Sequence, residues 1–173
     1  MGFIINKDDR KSTELLDCGS FGLEKENLRI DENGNLSHTK HPFGTDFSRD
    51  RDFCENQVEM ITGVNENVDS MWNEIAELDR DTKDTILKLD TGKEYLWPFS
   101  NPPYVKGEDD IPIAQYEGEL AVKTVYREHL AATYGKKKML FSGIHYNFSF
   151  SDDLLKSVYE SGNQNGDSFE EFK

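Results

Sequence analysis

Apolar and polar positions change period several times along the chain, and each change marks a different element. Residues 21–30, FGLEKENLRI, and 36–39 flank DENGN. The Asn33-Gly34 pair within it is a strong hairpin signal, so this stretch predicts strand, turn, strand. DENGN also faintly resembles a calcium loop, but later ligands and a Glu at the twelfth position are missing, which favours a plain turn. ENQVEMIT, residues 55–62, alternates as a half-buried strand does, with Val58 and Met60 on one face and Glu55, Gln57 and Glu59 on the other. From Asn67 to Asp90 the period becomes helical. Val68, Met71, Trp72, Ile75 and Leu78 recur at steps of three and four, Asp69 or Ser70 can cap the start, and Gly92 follows the end.

EYLWPFSNPPYV, residues 94–105, holds three of the five prolines and predicts an ordered, aromatic-rich loop. A second helix is expected from about Ala114 to Tyr134, stopped by Gly135, with Leu120, Tyr126, Leu130 and Tyr134 among its apolar residues. MLFSGIHYNFSF, residues 139–150, has strand period and aromatic enrichment. Ser151, with Asp152 and Asp153 behind it, opens a short helix that Gly162 is expected to end, and DSFEEFK resembles a helix only begun. With no internal repeat and no linker, strands and helices alternate within one α+β unit whose C-terminal edge looks cut.

At 173 residues, 35% hydrophobic, with 11 Phe, 7 Tyr and 2 Trp, the chain can build a sizeable core. A net charge of −14 argues against nucleic acid or an anionic membrane as partner. The one basic cluster, Lys136 to Lys138, reads as a solvated helix end. The start, MGFIINKDD, lacks the apolar core and cleavage site of a signal peptide, and no apolar run approaches the roughly 18 residues of a membrane span. A cytoplasmic protein is the expectation. Cys18 and Cys54 have neither disulfide-framework nor zinc spacing and are read as reduced thiols.

Candidate chemistry follows from the strand period. Side chains two apart share a face, so Glu24 and Glu26 point the same way, with apolar Leu28 and Ile30 further along. Carboxylates so placed raise each other's pKa unless a cation offsets them, which makes a metal a natural partner; a solvated edge has the same spacing. In 139–150, Ile144, Tyr146, Phe148 and Phe150 form the face expected to pack, leaving His145, Asn147 and Ser149 on a polar face. His145 there fits a ligand or a hydrogen-bonded structural residue. If the three strands are neighbours, Glu24, Glu26, Asp52, Glu59 and His145 converge into an oxygen-rich pocket with one imidazole, suited to a hard divalent cation. Spacing alone leaves that convergence an assumption.

Six segments in order, GLEKENLR (22–29), DFCENQVEMIT (52–62), LWPFSNPPY (96–104), IAQY (113–116), VYREHL (125–130) and SGIHYNFSF (142–150), resemble the motifs of bacterial glutamate–cysteine ligases. The likeness covers residues 20 to 160 or so and is especially close to the ligase half of fused enzymes that also carry a glutathione synthetase module. The resemblance implies a glutamine synthetase-like fold, an antiparallel sheet with flanking helices whose inner carboxylates hold magnesium, with manganese a possible substitute. It further implies that ATP phosphorylates the γ-carboxylate of glutamate and that the cysteine amino group displaces the phosphate to give γ-glutamylcysteine.

Carried over by position, Glu24 and Glu26 match the family's first acidic pair of metal ligands, Asp52 and Glu59 the acids of its second motif, and His145 its metal-binding histidine. Phe53 would help line the cysteine pocket, Gln115, Tyr126 and Asn147 would lie near substrates, and Arg127 would be a catalytic cation or a surface ion-pair partner. Members of the family are considerably longer. Residues 1–173 are therefore expected to be the N-terminal part of one catalytic domain, its C-terminal portion absent, with little activity alone. Two other readings remain open: a related ligase that joins glutamate to another amine, and a non-catalytic acidic module that binds divalent cations or a protein.

Overall fold

A 13-residue strand, β1 (Gly19–Asp31), organises the molecule. In the computed structural model, which describes residues 5, 7–90, 92–161 and 168–173, β1 is preceded by α1 (Arg10–Glu14) and followed by β2 (Arg49–Asp50) and β3 (Gln57–Ile61). Then come α2 (Val68–Leu87), β4 (Glu94–Leu96), α3 (Ala121–Tyr134), β5 (Ile144–Phe150), α4 (Asp152–Glu160) and α5 (Phe169–Phe172). All strand pairings are antiparallel: β1 pairs with β3, β4 and β5, and β2 extends the sheet beyond β3. The α+β class and antiparallel sheet expected from the sequence are those observed. Among the described residues, no helix is long and apolar enough to cross a membrane.

The two faces of β1 bury different things. Phe21 and Leu23 join Val58 and Met60 of β3 against Met71, Ile75 and Ile86 of α2 in a first core. On the opposite face Leu28 joins a second core with Leu36, Phe53, Cys54, Ile111 and Leu140. The sheet is thus covered on both sides toward the end where Leu28 lies, while the even-numbered face nearer the start of β1 carries Glu24 and Glu26. Cys54 is buried in the second core, and burial, followed by the charge of Asp52, pushes its thiol pKa well up, as befits a packed thiol.

Several sequence expectations shift in detail. The Asn33-Gly34 turn is present, with Gly34 at φ +80°, but its return strand reduces to one bridge between Ile30 and Leu36. Asn67, not Asp69 or Ser70, caps α2 by accepting the Ser70 N–H, and Trp72 of the expected apolar stripe is 64% exposed. The proline-rich loop begins as a strand, β4, and the helix expected from Ala114 starts regularly only at Ala121, after a 3-10 turn, Gly118–Leu120. Gly135, at φ +79°, ends it as expected. Ser151 caps α4 and a capping box of Ser168 and Glu171 opens α5; the expected stop at Gly162 lies outside the described residues.

The largest departure is on β5. Ile144, Tyr146, Phe148 and Phe150 do face the α2 side, opposite Lys25, Leu23, Phe21 and Gly19, yet all four are exposed. The physical reason is coverage: the first core that α2 seals is drawn from β1 and β3, and β5 contributes no buried residue to it.

The loop between β1 and β2 buries His41. Its backbone N–H reaches Glu55 Oε1 at 2.9 Å, Nε2 donates to the Arg49 carbonyl at 2.8 Å, and the ring meets Phe43 edge-on. Burial lowers its pKa from 6.5 to about 4. The unfolded chain therefore takes the proton first, so this residue's contribution is complete above pH 6.5 and is lost as pH falls through 4. The difference corresponds to about 3 kcal/mol. We expect urea unfolding of a His41→Gln variant to lose less stability than the unsubstituted protein between pH 7 and pH 4; parallel pH profiles would contradict this.

Candidate metal and substrate site

Strand register decides which carboxylates meet. Glu26 stands directly opposite Glu59, Glu59 opposite Asp50, and Glu24 opposite His145. Directly opposed residues share a face with Cβ atoms about 4.5–5.5 Å apart, so three neighbouring strands bring their acids into one row. Ligand atoms of Glu24, Glu59 and His145 lie within 4.8 Å of one another, the one such His/Cys/Asp/Glu group among the described residues. Glu24 Oε2 is 3.1 Å from His145 Nδ1, and its Oε1 accepts from Asn147 Nδ2 at 3.1 Å. Glu26 lies deeper, 7% exposed, with Oε2 accepting the Gly143 N–H at 2.7 Å.

This cluster is short of positive charge. The Glu59 pKa is raised to about 7, first by burial and then by Asp52, Glu26, Glu24 and Asp50. Burial also raises Glu26, against the Gly143 hydrogen bond and with Asp52 adding to the rise. His145 is held toward its protonated form, chiefly by its bond to Glu24. A divalent cation would supply what is missing, and carboxylates with one imidazole and no thiolate suit a hard ion. Ligands to one ion at about 2.1 Å stand within about 4.2 Å of one another. The 4.8 Å spread of Glu24, Glu59 and His145 is close to that limit, so the donor set is of a kind that could hold a divalent cation.

Asp52 sits beside the row, where its charge reaches both Glu26 and Glu59. Its loop is clamped by Arg127, whose Nε donates to the Asp52 carbonyl, Nη1 to that of Lys123 at 2.9 Å and Nη2 to that of Arg51 at 3.1 Å. Its guanidinium also stacks over the Tyr116 ring at 5.0 Å. The guanidinium of Arg127 is directed to backbone carbonyls and ties the 51–52 segment to α3. We expect Arg127→Lys, which lacks the planar fork, to cost about 1–3 kcal/mol in denaturant unfolding. Unchanged stability with lost activity would return Arg127 to the substrate.

Phe53, expected at a substrate pocket, is 1% exposed and belongs to the second core. Gln115 turns its side-chain amide to the Ile113 carbonyl at 3.0 Å and lines a cleft of about 160 Å³ with Lys40, His41, Arg51 and Tyr116. Tyr126 is exposed on α3. The structure thus gathers Glu24, Glu26, Glu59, His145 and Asn147, sets Asp52 alongside, and keeps Phe53, Gln115 and Tyr126 out of the cluster. Sequence reasoning passed over Asp50, whose carboxylate is bound by the Tyr116 hydroxyl at 2.8 Å and Lys123 Nζ at 3.0 Å. Its spacing two residues before Asp52, on extended chain, was the available signal.

The family model for glutamate-cysteine ligase matches residues 5–173. The bifunctional glutathione biosynthesis protein GshAB of Listeria monocytogenes is 44% identical over 96% of this chain and 22% of its own length. A glutamate–cysteine ligase of Clostridium acetobutylicum is 38% identical over 87% of this chain and 32% of its own. Among solved structures, a bifunctional glutathione synthetase from Pasteurella multocida superposes with a TM-score of 0.82 at 31% identity, covering 95% of this chain and 21% of that one. The chain spans less than a third of the length of each of these relatives. On a match that takes in nearly every residue, the chain belongs to the glutamate–cysteine ligase family.

Proposed function

We propose that this chain contributes the metal-holding sheet of an ATP-dependent ligase that joins the γ-carboxylate of glutamate to the amino group of cysteine. The observation that carries this reading is the convergence of Glu24, Glu59 and His145 on one sheet face, backed by Glu26 and Asp52. A bound magnesium would neutralise phosphoryl oxygens of ATP and of the transferring group, which is where phosphoryl transfer needs charge. Glu24, Glu26, Asp52, Glu59 and His145 hold that ion, with manganese able to replace it. Asn147 and the Gly143 N–H keep Glu24 and Glu26 in their orientations by hydrogen bonds to the carboxylates. The chain acts as the N-terminal part of one catalytic domain, and two of the relatives above are bifunctional, which supports a glutathione synthetase module in the same polypeptide.

The test is ADP release by the full-length protein with magnesium, ATP and glutamate, with cysteine present, absent, or replaced by other amines. Stimulation by cysteine with γ-glutamylcysteine seen by mass spectrometry supports the reading. Stimulation only by another amine moves the protein to a sister activity, and no turnover leaves a cation-binding module.

A further inference from the structure

Gln57 begins β3 and is completely buried, although the strand period placed it on a polar face. Its Oε1 accepts the backbone N–H groups of Phe53 at 3.1 Å and Cys54 at 3.4 Å. Both of those groups can only donate, so the oxygen must face them and the side-chain NH2 is left for the other side. There it meets Glu26 Oε2 at 3.4 Å, the same oxygen that takes the Gly143 N–H at 2.7 Å. One amide therefore joins the deepest carboxylate of the cluster to the loop that carries Asp52, and both of the joined side chains are buried.

We propose that Gln57 is a positioning residue of the metal site, fixing the Glu26 carboxylate and the Asp52 loop relative to each other. The inference rests on the metal reading above. Two donors converging on the same oxygen fix the orientation of the buried Glu26 carboxylate; with Gln57 gone it keeps only the Gly143 bond, and the Phe53 and Cys54 N–H groups lose their acceptor. Hydrogen-bonding partners of this kind carry about 10- to 100-fold in metal affinity.

The experiment titrates Mn2+ into the full-length protein, following free Mn2+ by electron paramagnetic resonance, for the unsubstituted chain and for Gln57→Met, Gln57→Glu and Glu59→Gln. Gln57→Met keeps length but loses donor and acceptor, whereas Gln57→Glu keeps the acceptor for the loop and replaces the donor by a carboxylate oxygen that repels Glu26. We expect either folded Gln57 variant to raise the Mn2+ dissociation constant about tenfold. Turnover is expected to recover when Mn2+ is raised to match, a rescue that a merely structural role would not give. Should Gln57→Met fail to fold, Gln57→Glu decides the matter. Weakened binding in Glu59→Gln with unchanged affinity in the folded Gln57 variants overturns the positioning role alone. Unchanged binding in Glu59→Gln overturns the metal reading and this inference with it.

Discussion

Replacing Glu59 by Gln is expected to strengthen the metal-free fold while removing most of the activity. Glu59 has its pKa raised to about 7 by burial and by the carboxylates around it. A group whose folded pKa lies above its unfolded value holds its proton better in the native state. The native state is therefore penalised progressively as pH rises from the ordinary 4.5 to 7, and by a constant amount above that. Full burial would make the penalty about 3 kcal/mol, and the partial exposure of Glu59 reduces it to about 2 kcal/mol.

Glu59→Gln, which has no charge to lose, escapes this penalty. Without metal, its stability advantage in denaturant unfolding is expected to be near zero at pH 4.5 and about 2 kcal/mol at pH 8. Turnover by the full-length variant is expected to fall by about 10²-fold or more, since a preorganised ligand to the charge-neutralising ion is gone. Magnesium is then expected to stabilise the unsubstituted protein and to leave the variant nearly unchanged. A variant that loses stability at every pH would instead mark Glu59 as a packing residue whose contacts outweigh its charge.

Arg29→Met carries the largest expected loss of stability. The guanidinium of Arg29 is fully buried in β1, with Nη1 2.7 Å from Glu94 Oε2 and donating to Thr39 Oγ1 at 2.7 Å. Nη2 donates to the carbonyls of Thr39 at 2.9 Å and Glu55 at 3.1 Å. Glu94, opening β4, is itself buried. Removing the arginine leaves a carboxylate in the interior without its cation, a change that costs about 3–5 kcal/mol, whereas removing both charges often costs little. Arg29→Met is therefore expected to unfold at much lower urea, and the double variant Arg29→Met with Glu94→Leu to recover most of the difference. A single variant within about 1 kcal/mol of the parent would show that water or another cation reaches Glu94.

Much of the site was legible because its first layer is local. Alternation along β1 sets Glu24 and Glu26 on one face and Phe21 and Leu23 on the other, whatever the strand pairs with. The same local rules located α2 and the cap of α4, since capping depends on neighbours three residues away. They also determined that one face of the 144–150 segment carries His145 and Asn147.

Local rules could not say which residues of different strands stand opposite one another. A slip of one residue between β1 and β3 would have turned Glu59 to the α2 side, so the pairing of Glu26 with Glu59 and of Glu24 with His145 is a property of the assembled sheet. Burial is equally non-local. Phe53 packs inward because Ile111 and Leu140 close over it, Gln57 is buried by the same layer, and the apolar face of β5 stays open because α2 ends its coverage at β1. Arg127 illustrates the limit most sharply: its sequence says only that a planar cation is present, and two carbonyls of the distant 51–52 segment, with one from its own helix, decide what it holds. Periodicity along one chain determined the chemistry each face can offer; contacts between strands far apart in sequence decided which of those groups meet.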